Sequence, residues 1–393
     1  MRIAFLTNIL TPYRLPVYTE LAETPGFELR FLVGARTDPS WEGAYAGAFE
    51  RGAEKLDVEV VKSFDRRRRV RVHNEVASSQ WSTLQLPWGA FDALDRFRPD
   101  VVLSSELGPR TALAALWAKR AGVPLVIWSY QALTAARAAG RLRRGLRRGL
   151  LARADAVVGM GVQARTALLE LGVAEGDLFD APNAHDVDGW ERRFAELDPD
   201  SERIAMRTHL DVRDRVALVP ARLEPSKGIE PLLNAWAELP PRVRDPWTLL
   251  FVGSGPELIH VERARAALEP KAVARIAAVR PDVLAGLYAA SDLLIFPSLG
   301  DPWGLVVNEA MAAGLPVLCS SLAGCADDLV LEGQTGWRFD PTDPTAFLHS
   351  LERTLCEGGT SQIGERGRQH VAGFTPERQA EGLRRAILHA TRR

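Results

Sequence analysis

Short apolar runs alternate with segments of helical periodicity along the whole chain. The runs in the first half are RIAFLT, LRFLVG, DVVLSS, PLVIWS and DAVVGM, and those in the second half are RVALVP, TLLFVG, LLIFPS and PVLCSS. Because these runs are apolar at nearly every position, they predict strands that are covered on both faces, as in parallel sheets. The pattern therefore predicts an α/β protein with doubly wound sheets.

The length of the chain and the placement of the strands predict two domains. A chain of 393 residues, 46% of them hydrophobic, exceeds what one core usually holds. Residues 186–214 are polar, helical in pattern and short of strands, which predicts a link between the domains. We predict a first domain over 1–190, a connector over 191–213, a second domain over 214–374 and a helix over 375–393 that packs back on the first domain. A cleft is expected between the two domains.

Charge and cysteine content narrow the range of partners and of cellular compartments that the sequence predicts. The net charge of −1 gives no overall field that would gather nucleic acid or bind an acidic membrane. The three cysteines lack Cys-x-x-Cys spacing, which argues against a disulfide scaffold or a zinc site and fits a reducing cytosol. The amino-terminal apolar stretch is too short for a signal peptide, and no run approaches the length of a transmembrane helix. We therefore predict a cytoplasmic protein.

A carboxylate lies within an otherwise apolar helix in the second half. Glu309 is flanked by leucine, valine, alanine and methionine, so its side chain is expected to be at least partly buried and to need a partner. Helical side chains lean toward the helix start, which brings Glu309 toward Asp301 in the preceding loop. Gly304 and the amides that follow it favour an anion such as phosphate. One alternative is that Asp301 only caps the helix and Glu309 meets a buried arginine.

Two cations follow the strand RVALVP. Arg222 offers a planar fork for phosphate oxygens and Lys227 a compact charge, so the pair suits a diphosphate. The next strand ends in GSGP, where Gly253 permits a close approach of the backbone. Taken alone, the two cations could equally meet solvent, and GSGP could be only a turn.

These segments follow one another in an order that resembles a known family. The order is R-L-x3-K-G, a strand followed by G-S-G-P, L-Y-A-A-S-D-L-L-I-F-P-S, D-P-W-G-L-V-V-N-E-A-M-A-A-G-L-P-V and E-G-Q-T-G-W. The series resembles the donor-binding domain of retaining glycosyltransferases of family 4, over residues 219–344. Looser similarity extends through the first half, in NILTPYR, LWAKRAGVPLVIWS, RADAVVGM and PNAHD. The resemblance implies the GT-B fold, with two Rossmann-like doubly wound domains facing a central cleft.

The resemblance also implies roles for individual residues. Arg222 and Lys227 would hold the donor diphosphate as it leaves, and Asp301 would contact the donor sugar near the reacting centre. Glu309 would bind the ribose hydroxyls of the nucleotide. The remaining donor-binding positions implied by the match are Gly253, Trp303, Gly304 and Leu305. The family usually has glutamate at the position of Asp301, a departure that leaves open a non-catalytic homologue that binds a nucleotide-sugar or a partner protein.

The implied reaction moves a sugar from a nucleotide-diphosphate donor to a hydroxyl of a saccharide, a glycolipid or a polyprenyl-linked sugar, as in polysaccharide biosynthesis, with retention of configuration. No cofactor or metal is expected, because two cations and a helix start can stabilise the leaving diphosphate. The alternative of a metal site rests on the Asp-x-Asp triplets at 186–188 and 198–200, but both fall in the polar segment 186–214, where acidic residues usually face solvent or cap a helix. No Gly-x-Gly-x-x-Gly follows a strand, which argues against a dinucleotide-dependent oxidoreductase. A glycosidase would leave both cations without a diphosphate.

Acceptor-binding residues are expected at the strand ends of the first domain. The candidates are Asn8 and Arg14 in NILTPYR, Glu106 after DVVLSS and Tyr130 after PLVIWS. Glu106 could equally cap the helix that begins near Pro109. The sequence does not specify the donor sugar, the nucleotide base, the acceptor, the linkage or the oligomeric state.

Arginines cluster at 66–71 and again over Arg137–Arg153. The second cluster has helical spacing with interleaved leucines, so it could lie on an anionic membrane and present a lipid-linked acceptor. The alternative is an ordinary exposed basic helix, which the glycines at 140, 145 and 149 would weaken. Nucleic acid is not an expected partner, because no aromatic residues accompany the arginines.

Overall fold

The computed structural model describes residues 1–35, 54–71, 79–357 and 361–392, and only the backbone of 65–71 and 79–85. The chain divides into two compact units. The first comprises Met1–Val70, Trp81–Asp186 and Phe374–Arg393, and the second comprises Arg71–Gln80 and Val187–Gly373. Each unit is organised around its own parallel sheet.

The described elements up to residue 180 comprise both strands and helices. They are β1 (Arg2–Thr7), α1 (Leu15–Ala22), β2 (Glu28–Val33), β3 (Asp57–Val60), β4 (Phe64–Arg71), β5 (Ser79–Leu86), α2 (Ala90–Phe97), β6 (Val101–Ser105), α3 (Pro109–Ala121), β7 (Leu125–Ser129), α4 (Leu133–Arg137), α5 (Arg141–Leu151), β8 (Ala156–Gly159), α6 (Val162–Glu170) and β9 (Leu178–Asp180).

The later elements begin with two helices and end with three, and between them strands mostly alternate with helices. They are α7 (Val187–Ala195), α8 (Pro199–Leu210), β10 (Arg215–Pro220), α9 (Ile229–Glu238), α10 (Pro241–Arg244), β11 (Trp247–Val252), α11 (Leu258–Ala267), β12 (Val273–Ile276), α12 (Pro281–Ala290), β13 (Leu293–Phe296), α13 (Leu305–Ala312), β14 (Val317–Ser320), α14 (Ala326–Leu329), β15 (Trp337–Phe339), α15 (Pro344–Glu357), α16 (Ser361–Val371) and α17 (Pro376–Ala390).

The first unit contains a seven-stranded parallel sheet in the order β3-β2-β1-β6-β7-β8-β9, and β4 and β5 pair separately. Its central strands are buried on both faces, which explains why RIAFLT and PLVIWS are apolar throughout. Phe5 of β1 packs on Tyr18 of α1 with ring centroids 5.6 Å apart. Helix α17 completes this core with Leu383 and Ile387, both fully buried.

The second unit contains a six-stranded parallel sheet in the order β12-β11-β10-β13-β14-β15. Strand order reverses between β1 and β6 in the first sheet and between β10 and β13 in the second, and ligands of doubly wound sheets usually bind at such reversals. Every apolar run named from the sequence forms a strand, and the polar segment after residue 186 forms α7 and α8, as predicted.

The predictions about membranes concern the helices of the chain and its two arginine clusters. Among the described residues, no helix combines the length and apolar character that crossing a bilayer requires. The arginine cluster at 66–71 lies on β4, and the side chains from residue 65 to residue 85 lie outside what the structure describes. The second cluster forms α4 and α5.

Candidate functional site

Two loops meet at the strand reversal of the second sheet. One follows β10 and ends in the 3-10 turn Pro225–Lys227, and the other joins β13 to α13. The Leu299 amide donates to the Ser226 carbonyl at 2.9 Å, and the Ser298 hydroxyl donates to the same oxygen at 3.2 Å. These bonds hold the residues that follow β10 against those that follow β13.

Lys227 and Asp301 form an ion pair between these two loops. Their side chains are only 16% and 15% exposed, so the pair is largely withdrawn from solvent. The second carboxylate oxygen of Asp301 accepts the Trp303 amide at 3.1 Å. Burial raises the pKa of Asp301, but Lys227, the Trp303 amide and Arg222 together hold that pKa below its usual value. Asp301 therefore supports the loop before α13 and also pairs with the predicted diphosphate-binding lysine.

Helix α13 begins without a capping side chain. Its N-cap, Gly304, has φ 110°, and a Cβ there would lie 2.5 Å from the Phe296 ring, so glycine is required. Trp303 is buried and its indole donates to Asn308 Oδ1 at 2.8 Å, which fixes the loop before α13 to the helix itself. The Trp303 amide, predicted to bind phosphate, is already engaged by Asp301. Among the described residues, the Leu305 and Val306 amides have no hydrogen-bond acceptor, as a phosphate cradle requires.

Glu309 lies on the second turn of α13, and its partner is a tyrosine. The hydroxyl of Tyr288 on α12 donates to Glu309 Oε2 at 2.8 Å, and Trp190 of α7 packs edge-on against Tyr288. Burial raises the pKa of Glu309 to about 7, although the Tyr288 hydrogen bond and the charge of Arg193 oppose the rise. The expectation that this carboxylate is partly buried and partnered is confirmed, and the partner is a hydroxyl rather than a buried arginine.

Arg222 and Gly253 adjoin this loop pair. The Arg222 side chain is 64% exposed and pairs with Glu224 at 2.8 Å, so a ligand would have to share or replace this contact. Gly253 has φ 148°, and a Cβ there would lie 1.9 Å from the Ala221 carbonyl oxygen. Gly253 therefore lets the end of β11 pack directly on the backbone that carries Arg222.

Predicted acceptor residues lie together at the strand reversal of the first sheet. Arg14 is buried beneath Tyr130, with its guanidinium 3.8 Å from that ring's centroid and 5.3 Å from the Trp128 ring. Burial opposes the charge of Arg14, but nearby tyrosines raise its pKa. Asn8 lies just beyond β1 and its carbonyl accepts the Gly34 amide at 3.0 Å, so its backbone is fixed.

Glu106 has an unusual backbone conformation beside these residues. Its φ of 69° is left-handed, which is strained for a residue that has a Cβ, and its side chain is 49% exposed. Arg110 at the start of α3 is buried, donates to Ser105 Oγ at 3.1 Å and lies 4.0 Å from the Glu106 carboxylate. The α3 N-cap is Gly108 and receives no side-chain cap, so Glu106 is not the cap of this helix.

Two family descriptions match nearly contiguous halves of the chain. "Glycosyl transferases group 1" matches residues 200–370, and "Glycosyl transferase 4-like domain" matches residues 12–184. The chain belongs to the group 1 glycosyltransferases. Both candidate sites of this glycosyltransferase lie mainly within the matched segments, one in each.

Curated relatives extend the similarity at moderate identity. The chain is 31% identical over 200 residues to the D-inositol 3-phosphate glycosyltransferase of Rhodococcus jostii, which covers 48% of this chain and 44% of the relative. It is 32% identical over 209 residues to the protein of that description from Rhodococcus opacus, with 51% and 46% covered. The match thus spans about half the length of these curated relatives.

Solved structures match over the full length. HepE of Anabaena in complex with UDP superposes with a TM-score of 0.73 at 20% identity, covering 99% of this chain and 100% of that one. Sucrose-phosphate synthase of Thermosynechococcus elongatus gives a TM-score of 0.72 at 18% identity, covering 98% of both. The glycosyltransferase therefore has the GT-B fold that the sequence predicted, with two parallel-sheet α/β domains.

A group of potential metal ligands occurs elsewhere in the second unit. Among the described residues, Glu230, Glu257 and His260 bring ligand atoms within 4.8 Å of one another. His260 lies 3.8 Å from the Glu257 carboxylate, and burial raises the pKa of Glu257. Neither Asp-x-Asp triplet contributes to this group, and Asp198 instead caps α8 by accepting the Ser201 amide.

The sequence prediction missed the residues that support the predicted ligand-binding side chains. Tyr288, Arg193 and Arg110 contact or influence predicted positions, yet none was assigned a role. One signal was available for Tyr288, because a tyrosine in the apolar segment LYAAS needs a partner for its hydroxyl. No comparable local signal marks the two arginines.

The raised pKa of Glu309 predicts a pH dependence of nucleotide binding. If this carboxylate accepts the ribose hydroxyls of a nucleotide, as the resemblance implies, binding favours its charged form, so affinity for a nucleoside diphosphate should fall as the pH drops below about 7. The fall is limited to about tenfold per pH unit. Calorimetric titration of the protein with UDP between about pH 6 and 8 measures this fall in affinity.

The control is Glu309→Gln, which should bind UDP more weakly at high pH and lose this pH dependence. Protonation of the UDP phosphate affects both proteins equally. Parallel pH profiles for the two proteins would contradict the role.

Proposed function

We propose that the protein is a retaining, metal-independent glycosyltransferase that moves a sugar from a nucleotide-diphosphate donor to an acceptor hydroxyl. The observation that carries this proposal is the buried Lys227–Asp301 ion pair beside the start of α13, with Glu309 on the same helix. These groups supply a cation for a diphosphate, amides for its oxygens and a carboxylate for a ribose. HepE of Anabaena has been solved with UDP and with UDP-glucose, which supports the donor class.

In the proposed reaction, the bond between the anomeric carbon and the diphosphate oxygen breaks as the acceptor oxygen bonds to that carbon. Negative charge then develops on the leaving diphosphate, where Lys227, Arg222 and the amides of α13 stabilise it. The acceptor attacks from the side of the leaving group, which retains the anomeric configuration. A phosphate oxygen receives the acceptor proton, so no side chain is needed as base. Asp301 orients Lys227 and contacts the sugar.

The acceptor side of the proposal rests on the first unit. Arg14 beneath Tyr130, and Glu106 with its left-handed backbone, lie at the ends of neighbouring parallel strands, where acceptor binding is proposed. The acceptor is a saccharide or a lipid-linked sugar, and the curated relatives named for D-inositol 3-phosphate support a polar hydroxylated acceptor.

A second candidate is a binding protein without turnover. Asp301 stands where the family usually has glutamate, and its carboxylate is already paired with Lys227. A longer side chain would reach further toward a sugar. A protein of this kind would bind UDP and UDP-glucose with similar affinity and release no UDP.

The decisive experiment measures UDP release from UDP-glucose by the full chain, with and without EDTA. We expect slow acceptor-independent release of UDP at equal rates in both conditions, because the cations are side chains. A strict requirement for a divalent ion would contradict the metal-independent mechanism. Tight UDP binding with no release from any of a panel of sugar nucleotides would favour the binding protein. Once an acceptor is found, the anomeric coupling constant of the product tests retention.

A further inference from the structure

A large cavity opens in the first unit beside the proposed acceptor residues. Its volume is about 1040 Å³, and its walls are the segment 105–110 and one face of α5. Leu142 and Leu146 of α5 line it and are 80% and 64% exposed. Exposed leucines one helical turn apart form an apolar strip, and water is a poor occupant of such a surface.

Two glycines keep this cavity open. Gly145 and Gly149 lie one turn apart on α5 and both line the cavity, and a Cβ at either would meet nothing within 4 Å. Glycine destabilises a helix interior relative to alanine, and packing does not require it here. The absent side chains leave a groove along the helix between the leucines and residues 105–110.

The cavity also holds unpaired positive charge. Arg147 lines it and is 7% exposed. One terminal nitrogen of its guanidinium donates to the Ala135 carbonyl at 3.5 Å, and its Nε has no hydrogen-bond partner. Burial and the neighbouring Arg143 lower the pKa of Arg147 to about 10, so it remains charged at neutral pH. Within the described ranges, no carboxylate lies at ion-pair distance from the cavity-lining arginines 141, 143, 147 and 153. The one carboxylate in its lining, Glu106, faces Arg110. A buried cation without a counter-ion points to an anionic ligand.

We propose that this cavity binds an amphiphile with one hydrocarbon chain and a phosphate head, the chain lying along Gly145 and Gly149 and the phosphate meeting Arg147 and Arg110. The proposal commits to a single amphiphile in a groove, not to a bilayer surface. Because Glu106 lines both this cavity and the proposed acceptor site, the amphiphile belongs to the acceptor, and that part of the inference rests on the proposed function. The acceptor class is then a lipid-phosphate-linked hydroxyl compound.

The first experiment titrates the full chain with decyl phosphate below its critical micelle concentration. Ethyl phosphate tests the head without the chain, and decyl maltoside tests the chain without the anion. We expect decyl phosphate to bind with a stoichiometry of one and at least tenfold more tightly than either control. Equal binding of ethyl phosphate would overturn the role of the groove, and equal binding of decyl maltoside would overturn the role of the arginines.

The second experiment fills the groove. The Gly145→Leu/Gly149→Leu variant places side chains in open space, so the fold is retained and binding of decyl phosphate should weaken at least tenfold. The matched control is Gly176→Leu, at an exposed glycine of the same unit that lies outside the cavity and also has nothing within 4 Å of its Cβ. Unchanged binding by the double variant, with circular dichroism confirming its fold, would overturn the proposal.

A third variant distinguishes binding in the groove from binding to the charged surface of α5. Arg144 and Arg148 also lie on α5 but do not line the cavity, and they donate to the Arg137 and Glu170 carbonyls. Arg144→Ser/Arg148→Ser should bind decyl phosphate as the parent protein does, and an equal loss in this variant would overturn the proposal in favour of a charged membrane-facing surface. UDP binding is measured alongside. If the protein binds UDP but not the amphiphile, this inference alone is refuted. If the protein does not bind UDP, the proposed function is refuted.

Discussion

Lys227→Ala is expected to lower kcat/KM for the sugar nucleotide by about 100- to 1,000-fold, the effect typical of removing one preorganised group that stabilises developing charge. Lys227 is largely buried, and its partner Asp301 would then lack a counter-ion. The variant should also lose about 3 kcal/mol of unfolding free energy, because an unpaired buried carboxylate is strongly destabilising. UDP release kinetics and chemical denaturation measure the two effects separately.

The pH dependence of that loss identifies its cause. Lys227 is the strongest of the groups that lower the pKa of Asp301, so without it the effect of burial, which raises that pKa, is largely unopposed. The variant should therefore be most destabilised well above pH about 4 and less destabilised in acid, where Asp301 binds a proton. Lys227→Met/Asp301→Asn should recover much of the stability without the activity. The matched control is Lys271→Ala, which breaks an exposed ion pair with Asp211 of 2.7 Å and should change stability by less than about 1 kcal/mol. Equal effects of Lys227→Ala and Lys271→Ala would contradict the assignment.

Gly253→Ala is expected to cost about 3 kcal/mol of unfolding free energy and to weaken UDP binding. The added methyl group would lie 1.9 Å from the Ala221 carbonyl oxygen, and φ 148° is unfavourable for any other residue. The backbone would relieve this overlap by displacing the segment that carries Arg222, so nucleotide affinity should fall with stability. Denaturation curves and calorimetric titration with UDP measure the two changes.

Gly333→Ala provides the comparison in the same unit. Gly333 also has a left-handed backbone, with φ 67°, but a Cβ there would meet nothing within 4 Å. Its replacement should cost about 1 kcal/mol from backbone strain and leave UDP affinity unchanged. If the two variants proved equally stable, the close backbone contact at Gly253 would make no measurable contribution to the free energy of unfolding.

The strands were predictable because burial on both faces leaves a local signal. RIAFLT and LLIFPS are apolar at almost every position, and each became a central strand at the point where strand order reverses. β3 was missed, because its residues Asp57–Val60 are half-buried or exposed at the sheet edge and leave no continuous apolar run. β12 at one edge of the second sheet was missed for the same reason, whereas β15 at the other edge is buried at Trp337 and Phe339 but is only three residues long.

The sequence predicted which residues belong to the candidate site better than it predicted which of them contact one another. Lys227 and Asp301 were both named from the sequence, yet 74 positions separate them and no local rule joins them. Their ion pair depends on Gly228, where a Cβ would lie 2.0 Å from the Pro297 carbonyl oxygen, and on the registration of β10 beside β13. The Tyr288–Glu309 bond likewise depends on how α12 and α13 are both placed against α7. Such contacts are tertiary, and composition or periodicity carries no record of them.

Helix α17 has a consequence for biosynthesis. Leu383 and Ile387 belong to the same core as Phe5, although the whole second unit is translated between them. A ribosome must therefore finish that intervening unit before the first sheet can be sealed, and until then its apolar face stays open to chaperones or to misassembly. The half of the molecule that is made first is the one that matures last.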